Sequence, residues 1–207
     1  MHAAVFAGNF IVPDTADGVV KVKNVNSNSK KINTKNMLFA AIFTALTAIC
    51  AQLVIPLPMT QVQFSMVIMA VFLCGALLDV RYSVSSMLAY ILLGICGMPV
   101  FGKFMGGVGV IAGPTGGYIA AYPFMTAAIW LVLKAFKKRG FIAYFVSMLA
   151  SLAVCYILGT AWLSIGMNIS FGAALMSGVV PFIAFDIIKI AIAAYLSVIL
   201  SKRIKMN

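Results

Sequence analysis

Residues 94–118 read GICGMPVFGKFMGGVGVIAGPTGGY. The stretch holds nine of the chain's 17 glycines, two of its seven prolines and a single charge, Lys103. Apolar runs flank it on both sides. Packing alone is a poor account of a flexible, glycine-rich segment carrying one lysine between two such runs. The stretch therefore predicts a loop that lies over a binding site at one end of a helical bundle.

The chain around this loop is 63% hydrophobic and 9% charged. Soluble domains run at about 45–50% apolar and about 25% charged, so an all-α integral membrane protein is expected. A chain of 207 residues holds about six spans of ~20 residues with short loops, which makes one bundle and leaves no separate soluble domain. Six apolar runs are present, at 37–55, 63–78, 82–96, 114–135, 141–163 and 174–200, and the membrane domain is expected to cover 37–203. Pro56 and Pro58 end the first run, Asp79 and Arg81 close the second, and Gly97 and Pro99 end the third. Pro114 suits the first turn of the fourth. Runs two and three are short, at about 16 residues, and are expected to tilt or to lie partly inside the bundle. Residues 1–36 form a polar tail with the low-complexity piece NVNSNSKK, expected to be disordered and cytoplasmic. Its opening, HAAVFAGNFIV, is too short for a span and lacks the basic flank of a cleaved signal peptide.

Charge placement orients these runs. With the N-terminus inside, 13 of the 15 basic residues fall on the inner side: the tail lysines, Arg81, the cluster Lys134, Lys137, Lys138 and Arg139, and Lys202, Arg203 and Lys205. Such asymmetry marks a multi-pass cell-membrane protein with both termini cytoplasmic. It accounts for the formal net charge of +11 without nucleic acid, since no basic patch is interleaved with exposed aromatics. Two lysines are left over: Lys103 in an outer loop and Lys189 within the last run.

Asp186 and Lys189 lie in VVPFIAFDIIKIAIAAYL, residues 179–196. Their i, i+3 spacing puts them on one helix face. Charges in hydrocarbon are costly and usually turn inward to a partner. Two readings are open: a structural ion pair or a bond to a neighbouring helix, and a polar ligand site. The expected depth of Asp186 is about eight residues from the outer end of the helix, ~12 Å at 1.5 Å per residue. Lys103 is either a solvated loop charge or the partner of an anionic group on a small solute. Gly109, Gly113 and Gly117 are spaced by four, as in close helix packing, although GPTGG at 113–117 favours a turn. Ala41 and Ala45 form a small-residue stripe on the first run, beside Ala40, Thr44 and Ala48. That stripe serves either packing within the chain or docking on another membrane protein.

Several functions are excluded. The lone histidine, His2, lies in the tail, and there is no HExxH, GxSxG or converging carboxylate pair, so an enzyme is not expected. No GxxxxGK[ST] is present, so ATP binding is not expected of this chain. Cys50, Cys74, Cys96 and Cys155 are widely spaced in apolar runs, which predicts neither a metal site nor a redox pair.

Three separated motifs, in order, carry a family resemblance: YILLGICGMPVFGKFMGG at 90–107, GPTGGY at 113–118 and PFIAFDIIK at 181–189. Together they resemble BioY, the biotin-specific S component of energy-coupling factor (ECF) transporters. The resemblance implies a six-helix S-component bundle that captures biotin from outside with high affinity. The implied partners are a transmembrane coupling protein and two cytoplasmic ATPases that drive inward delivery, with no cofactor of its own. Ala41 and Ala45 match the stripe by which this family docks on the coupling protein. Ligand contacts carried over by position are Asp186, Lys189, Lys103, Tyr90 and Tyr118, together with Gly113, Thr115 and Gly116 of the turn motif. After the first run the family's P-x-T-x-Q pattern is displaced, since the chain reads Pro58-Met59-Thr60-Gln61-Val62-Gln63, so Gln61 and Gln63 are both candidates. On this reading Asp186 accepts from the ureido N–H groups, Lys189 donates to an oxygen, and Lys103 pairs with the valerate carboxylate. An S component for another vitamin, or a self-sufficient small-solute carrier, is the alternative.

Overall fold

The apolar runs fold mainly as helix, with short strands at the end of the first run and the start of the second. A computed structural model describes residues 34–55 and 64–203. In chain order the helices are α1 (Thr34–Gln52), α2 (Val67–Leu77), α3 (Val80–Ile95), α4 (Val108–Ala112), α5 (Gly116–Ala135), α6 (Phe141–Met167), α7 (Phe171–Gly178) and α8 (Ile183–Arg203). Four of them, α1, α5, α6 and α8, are long and apolar enough to cross a membrane. The apolar helices α2 and α3 are shorter, at 11 and 16 residues. The expectations for residues 1–33, Pro56, Pro58, Gln61, Gln63 and Lys205 lie outside the described residues.

Several expected boundaries are corrected. The first helix begins at Thr34, ahead of Met37. Between α1 and α2 a short antiparallel pair forms, β1 (Val54–Ile55) with β2 (Phe64–Ser65), a small departure from an all-α chain. The two segments leave neighbouring helices side by side, and pairing satisfies their backbone polar groups. Pro114 lies in the turn before α5 instead of in the helix's first turn. The last run does not form one helix. It divides into α7 and α8 around a turn at residues 179–182, where Gly178 ends α7 and Pro181 cannot supply an amide hydrogen. Asp186 consequently sits in the first turn of α8, and not about eight residues into a helix.

The loop of residues 94–118 is ordered. It contains a 3₁₀ turn at Gly102–Phe104 and the short helix α4. Phe101 N–H donates to the Met105 carbonyl at 3.0 Å, closing a small loop around Lys103. Lys103 and Phe104 both take left-handed backbone angles, at φ 60° and 55°. The four-residue glycine spacing does not make a helix face, because Gly109 lies in α4, Gly113 in the turn and Gly117 in α5.

Helices α5 and α6 approach most closely where side chains are missing. A Cβ at Gly117 would overlap the Trp162 side chain, and one at Gly159 would overlap the Tyr118 ring. Small residues let helices meet at van der Waals distance, which replaces the hydrophobic drive absent between helices in lipid. On the other side, α1 meets α3 through hydroxyls. The Thr44 hydroxyl lies 3.0 Å from that of Ser86, and Ser86 donates to the Ala40 carbonyl at 2.9 Å. The stripe of Ala40, Thr44 and Ala48 thus turns toward the bundle, whereas Ala41 and Ala45 are exposed. The lipid-exposed surface is apolar, with Ile42, Leu92, Phe124, Leu131, Ile157 and Ile188 all outward.

Gly159→Val is expected to drive the Tyr118 ring off its seat and to cost about 1–3 kcal/mol, the usual range for overpacking. A lower melting temperature in detergent is the readout. Gly109→Ala, where an added Cβ meets nothing within 4 Å, should leave that temperature unchanged.

Candidate functional site

The inner face of α8 carries Asp186, Lys189, Ile190, Ala193, Ala194 and Ser197, all buried, at helical spacing, with buried Phe182 in the turn just before it. Asp186 is 2% exposed and Lys189 4%. The Lys189 ammonium lies 2.9 Å from Asp186 Oδ1. It also donates to the Ser65 carbonyl of β2 at 2.8 Å and stands 3.8 Å from the centre of the Phe64 ring. The Tyr156 hydroxyl of α6 donates to Asp186 Oδ2 at 2.7 Å. Both carboxylate oxygens therefore have a partner, and the ammonium has an anion, a carbonyl and a π face. Buried charges persist in an apolar interior only with such complete pairing. The structural ion pair and the bond to a neighbouring helix both exist, and the same two side chains still face a cavity.

That cavity is lined at one end by Phe64, Ser65, Tyr156, Phe182, Asp186 and Lys189. An adjoining cavity is walled by Tyr90, Phe101, Met105, Thr115 and Tyr122. Ser65, Ile68 and Tyr118 line both, so the two adjoin through shared walls, with a charged end and an aromatic end. The aromatic end is built by α3, α5 and the loop. Tyr90 and Phe101 meet edge to face with ring centres 5.6 Å apart, and Tyr122 lies 6.2 Å from Tyr90. Tyr90 donates its hydroxyl to the Val100 carbonyl at 3.1 Å, and Tyr118 donates to the Gly178 carbonyl at 3.2 Å. Tyrosine hydroxyls with backbone partners leave their ring faces as rigid apolar walls.

Of the residues singled out from sequence, Asp186, Lys189, Tyr90, Tyr118 and Thr115 line this space. Gly113 and Gly116 do not. The Gly113 carbonyl accepts from the Trp162 indole at 3.1 Å, and Gly116 lies so close to the Ile111 carbonyl that a Cβ would not fit. They shape the turn that carries Thr115 and Tyr118. Lys103 is exposed, and its side chain is not part of the lining, although Gly102 and Met105 beside it are.

Sequence reading passed over Tyr156, Tyr122, Ser65 and Gln52. Tyr122 follows Tyr118 by one helical turn, a spacing legible in advance. Tyr156 and Ser65 carry no local signal, because their roles depend on which helix faces α8. Gln52 is a polar residue inside the first apolar run, at the end of α1. Its amide donates to the Pro99 carbonyl at 3.4 Å and the Phe101 carbonyl at 3.1 Å, and its Oε1 accepts from Phe104 N–H at 2.8 Å.

Removing one partner of the buried pair should cost more than removing both. Asp186→Asn leaves Lys189 an uncompensated buried charge, with an expected loss of about 3–5 kcal/mol. The double variant Asp186→Asn with Lys189→Met should recover much of that loss in thermal unfolding.

Residues 24–206 match the model of the BioY family. The chain is 38% identical over 168 residues to "Biotin transporter BioY" of Thermotoga maritima, covering 81% of this chain and 96% of the relative. It is 38% identical over 180 residues to "Probable biotin transporter BioY" of Pyrococcus horikoshii, covering 85% of this chain and 99% of that protein. Its fold is similar to a crystal structure described as the S-component for biotin from an ECF-type ABC transporter. The TM-score is 0.77 at 29% identity, over 85% of this chain and 94% of that one.

Proposed function

This chain belongs to the BioY family, and on that premise we propose that it is the biotin-capturing S component of an ECF transporter, a transport subunit and not an enzyme. The observation that carries this reading is the cavity with a satisfied Asp186–Lys189 pair at one end and a wall of aromatic rings at the other. Biotin has a matching division: a ureido ring with two N–H donors and a carbonyl, an apolar bicycle, and a valerate chain ending in a carboxylate.

Asp186 has one hydrogen bond on each oxygen, which leaves further lone pairs able to accept from the ureido N–H groups. Lys189 has a third donor available beyond Asp186 and Ser65 for the ureido oxygen. Tyr90, Tyr118 and Tyr122 cover the bicycle and chain. Thr115 offers a hydroxyl along the wall, while Gly113 and Gly116 hold the turn behind it. Lys103 stands at the rim, beside the lining residue Gly102, where a long side chain can reach a valerate carboxylate. Charge-assisted bonds in such a water-poor site contribute about 1.5–3 kcal/mol each. A few fixed polar groups in an apolar pocket give specificity for one small solute.

Six spans, with α2 and α3 crossing as short tilted helices, place both termini in the cytoplasm and the cavity end of the bundle outside. The exposed basic cluster Lys134, Lys137, Lys138 and Arg139 supports that orientation. The tail of residues 1–36 belongs to the cytoplasmic side. The partners are a transmembrane coupling protein and two cytoplasmic ATPases. The docking face is the outer side of α1, where Ala41 and Ala45 are exposed between Leu38, Ile42 and Ile49.

Purified protein should bind biotin stoichiometrically, and Asp186→Asn should weaken it by at least about tenfold, roughly one charge-assisted bond. Lys103→Ala should weaken biotin but not its carboxyl-blocked amide. Unchanged affinities for both ligands would sink the assignment of these groups. Ala45→Trp should leave biotin binding intact and abolish uptake by the complete transporter. Uptake by this chain alone in proteoliposomes would instead favour a self-sufficient carrier.

A further inference from the structure

The aromatic end of the cavity is roofed by residues 99–105, and that roof is held from outside by the Tyr90 hydroxyl on the Val100 carbonyl and by three contacts from Gln52. Gln52 ends α1 and is half-buried. It donates to two roof carbonyls, of Pro99 and Phe101, and accepts from the roof amide of Phe104. A single primary amide thus uses both its donor and its acceptor sides on one short segment. Its Nε2 also lies 3.2 Å from the Ala48 carbonyl one turn back, so its two hydrogens are shared among three carbonyls, and this contact orients the side chain along α1.

The roof is not a relaxed conformation on its own. Lys103 and Phe104 are consecutive non-glycine residues with φ 60° and 55°, a region that L-residues avoid because Cβ crowds the following carbonyl. Phe104 is 72% exposed, so burial of its ring does not compensate for that crowding. Its amide instead is held by Gln52. On the inner side, Phe101 is 1% exposed and its ring lies against Gly94, where a Cβ would overlap it. Opening the roof would withdraw Phe101 and Met105 from the cavity wall. Closing it requires the left-handed pair to form again, and the Gln52 bond to the Phe104 amide favours that state.

We infer that Gln52 is a positioning residue, a latch that holds the 99–105 roof closed and so sets how long a ligand stays in the cavity. The inference rests on reading this cavity as the biotin site. It adds a role for a residue on α1, which contributes only Ala51 to the lining. Because the latch acts on the closed state, its loss should raise the dissociation rate and leave the number of sites unchanged. The same helix carries the exposed Ala41 and Ala45 face, so the latch also connects that face to the roof.

The test is biotin dissociation from the full chain in detergent or nanodiscs, followed by chase with unlabelled biotin. Gln52→Met keeps the length of the side chain and removes the three roof hydrogen bonds. Its dissociation should be at least about tenfold faster at unchanged binding stoichiometry, a change expected when several hydrogen bonds to one segment are lost. Phe104→Gly keeps the amide and relieves the left-handed crowding. Combined with Gln52→Met, it should slow dissociation back toward the wild-type rate, which a merely structural role for Gln52 would not produce. Wild-type dissociation from Gln52→Met overturns the latch, and so does a double variant no slower than the single one. If the wild-type chain itself binds no biotin, the reading of the cavity fails instead.

Discussion

A lysine and an aspartate buried in an apolar bundle are tolerable only as a pair with every polar atom engaged, and this requirement organises one end of the molecule. Asp186 and Lys189 stand one turn apart on α8, but their pairing alone would leave Oδ2 and two ammonium hydrogens unmet. Tyr156 of α6 satisfies the first and the Ser65 carbonyl takes one of the hydrogens. The pair thereby draws α6, α8 and β2 to a common point. The polar groups that stabilise the charges also define the wall of a cavity.

The second constraint is proximity. Tyrosine rings wall the cavity's other end only because α5 and α6 come close enough for Tyr118 to sit on Gly159. The Tyr118 hydroxyl then reaches the Gly178 carbonyl at the end of α7. The break between α7 and α8 is part of the same arrangement. It frees the carbonyl that Tyr118 uses and brings Asp186 to a helix N-terminus, where backbone N–H groups favour negative charge. A continuous helix through residues 174–200 would do neither.

Much of this was legible in the residues. The apolar runs and the outlying Lys189 and Asp186 stand out against a lipid-compatible background, whereas Tyr90 and Tyr118 were marked only by the family resemblance. The glycine-rich stretch was legible as a loop over a site. Its internal order was not, because Lys103 and Phe104 are residues that locally disfavour the angles they adopt. The bond from Gln52, over forty residues earlier in the chain, to the Phe104 amide and the Phe101–Met105 backbone bond hold that turn. Lys103 itself stood out as the one outer-loop charge, yet its side chain is exposed at the rim and not in the wall. Gly113 and Gly116 were legible as turn formers, and that is where the structure places them.

Composition and periodicity determined that this chain is a helical membrane protein, which segments are apolar helices, and that Asp186 and Lys189 share a face. These are local properties: they follow from transfer energies and from 3.6 residues per turn. Tertiary structure decided that Tyr156 and Ser65 line the cavity, that Gln52 bonds the loop over it, and that the last run breaks into two helices. It also decided that Ala41 and Ala45 face outward while Thr44 bonds to Ser86. Those outcomes depend on which helices become neighbours. A hydrogen-bond partner distant in sequence leaves no periodic trace in the chain that supplies it.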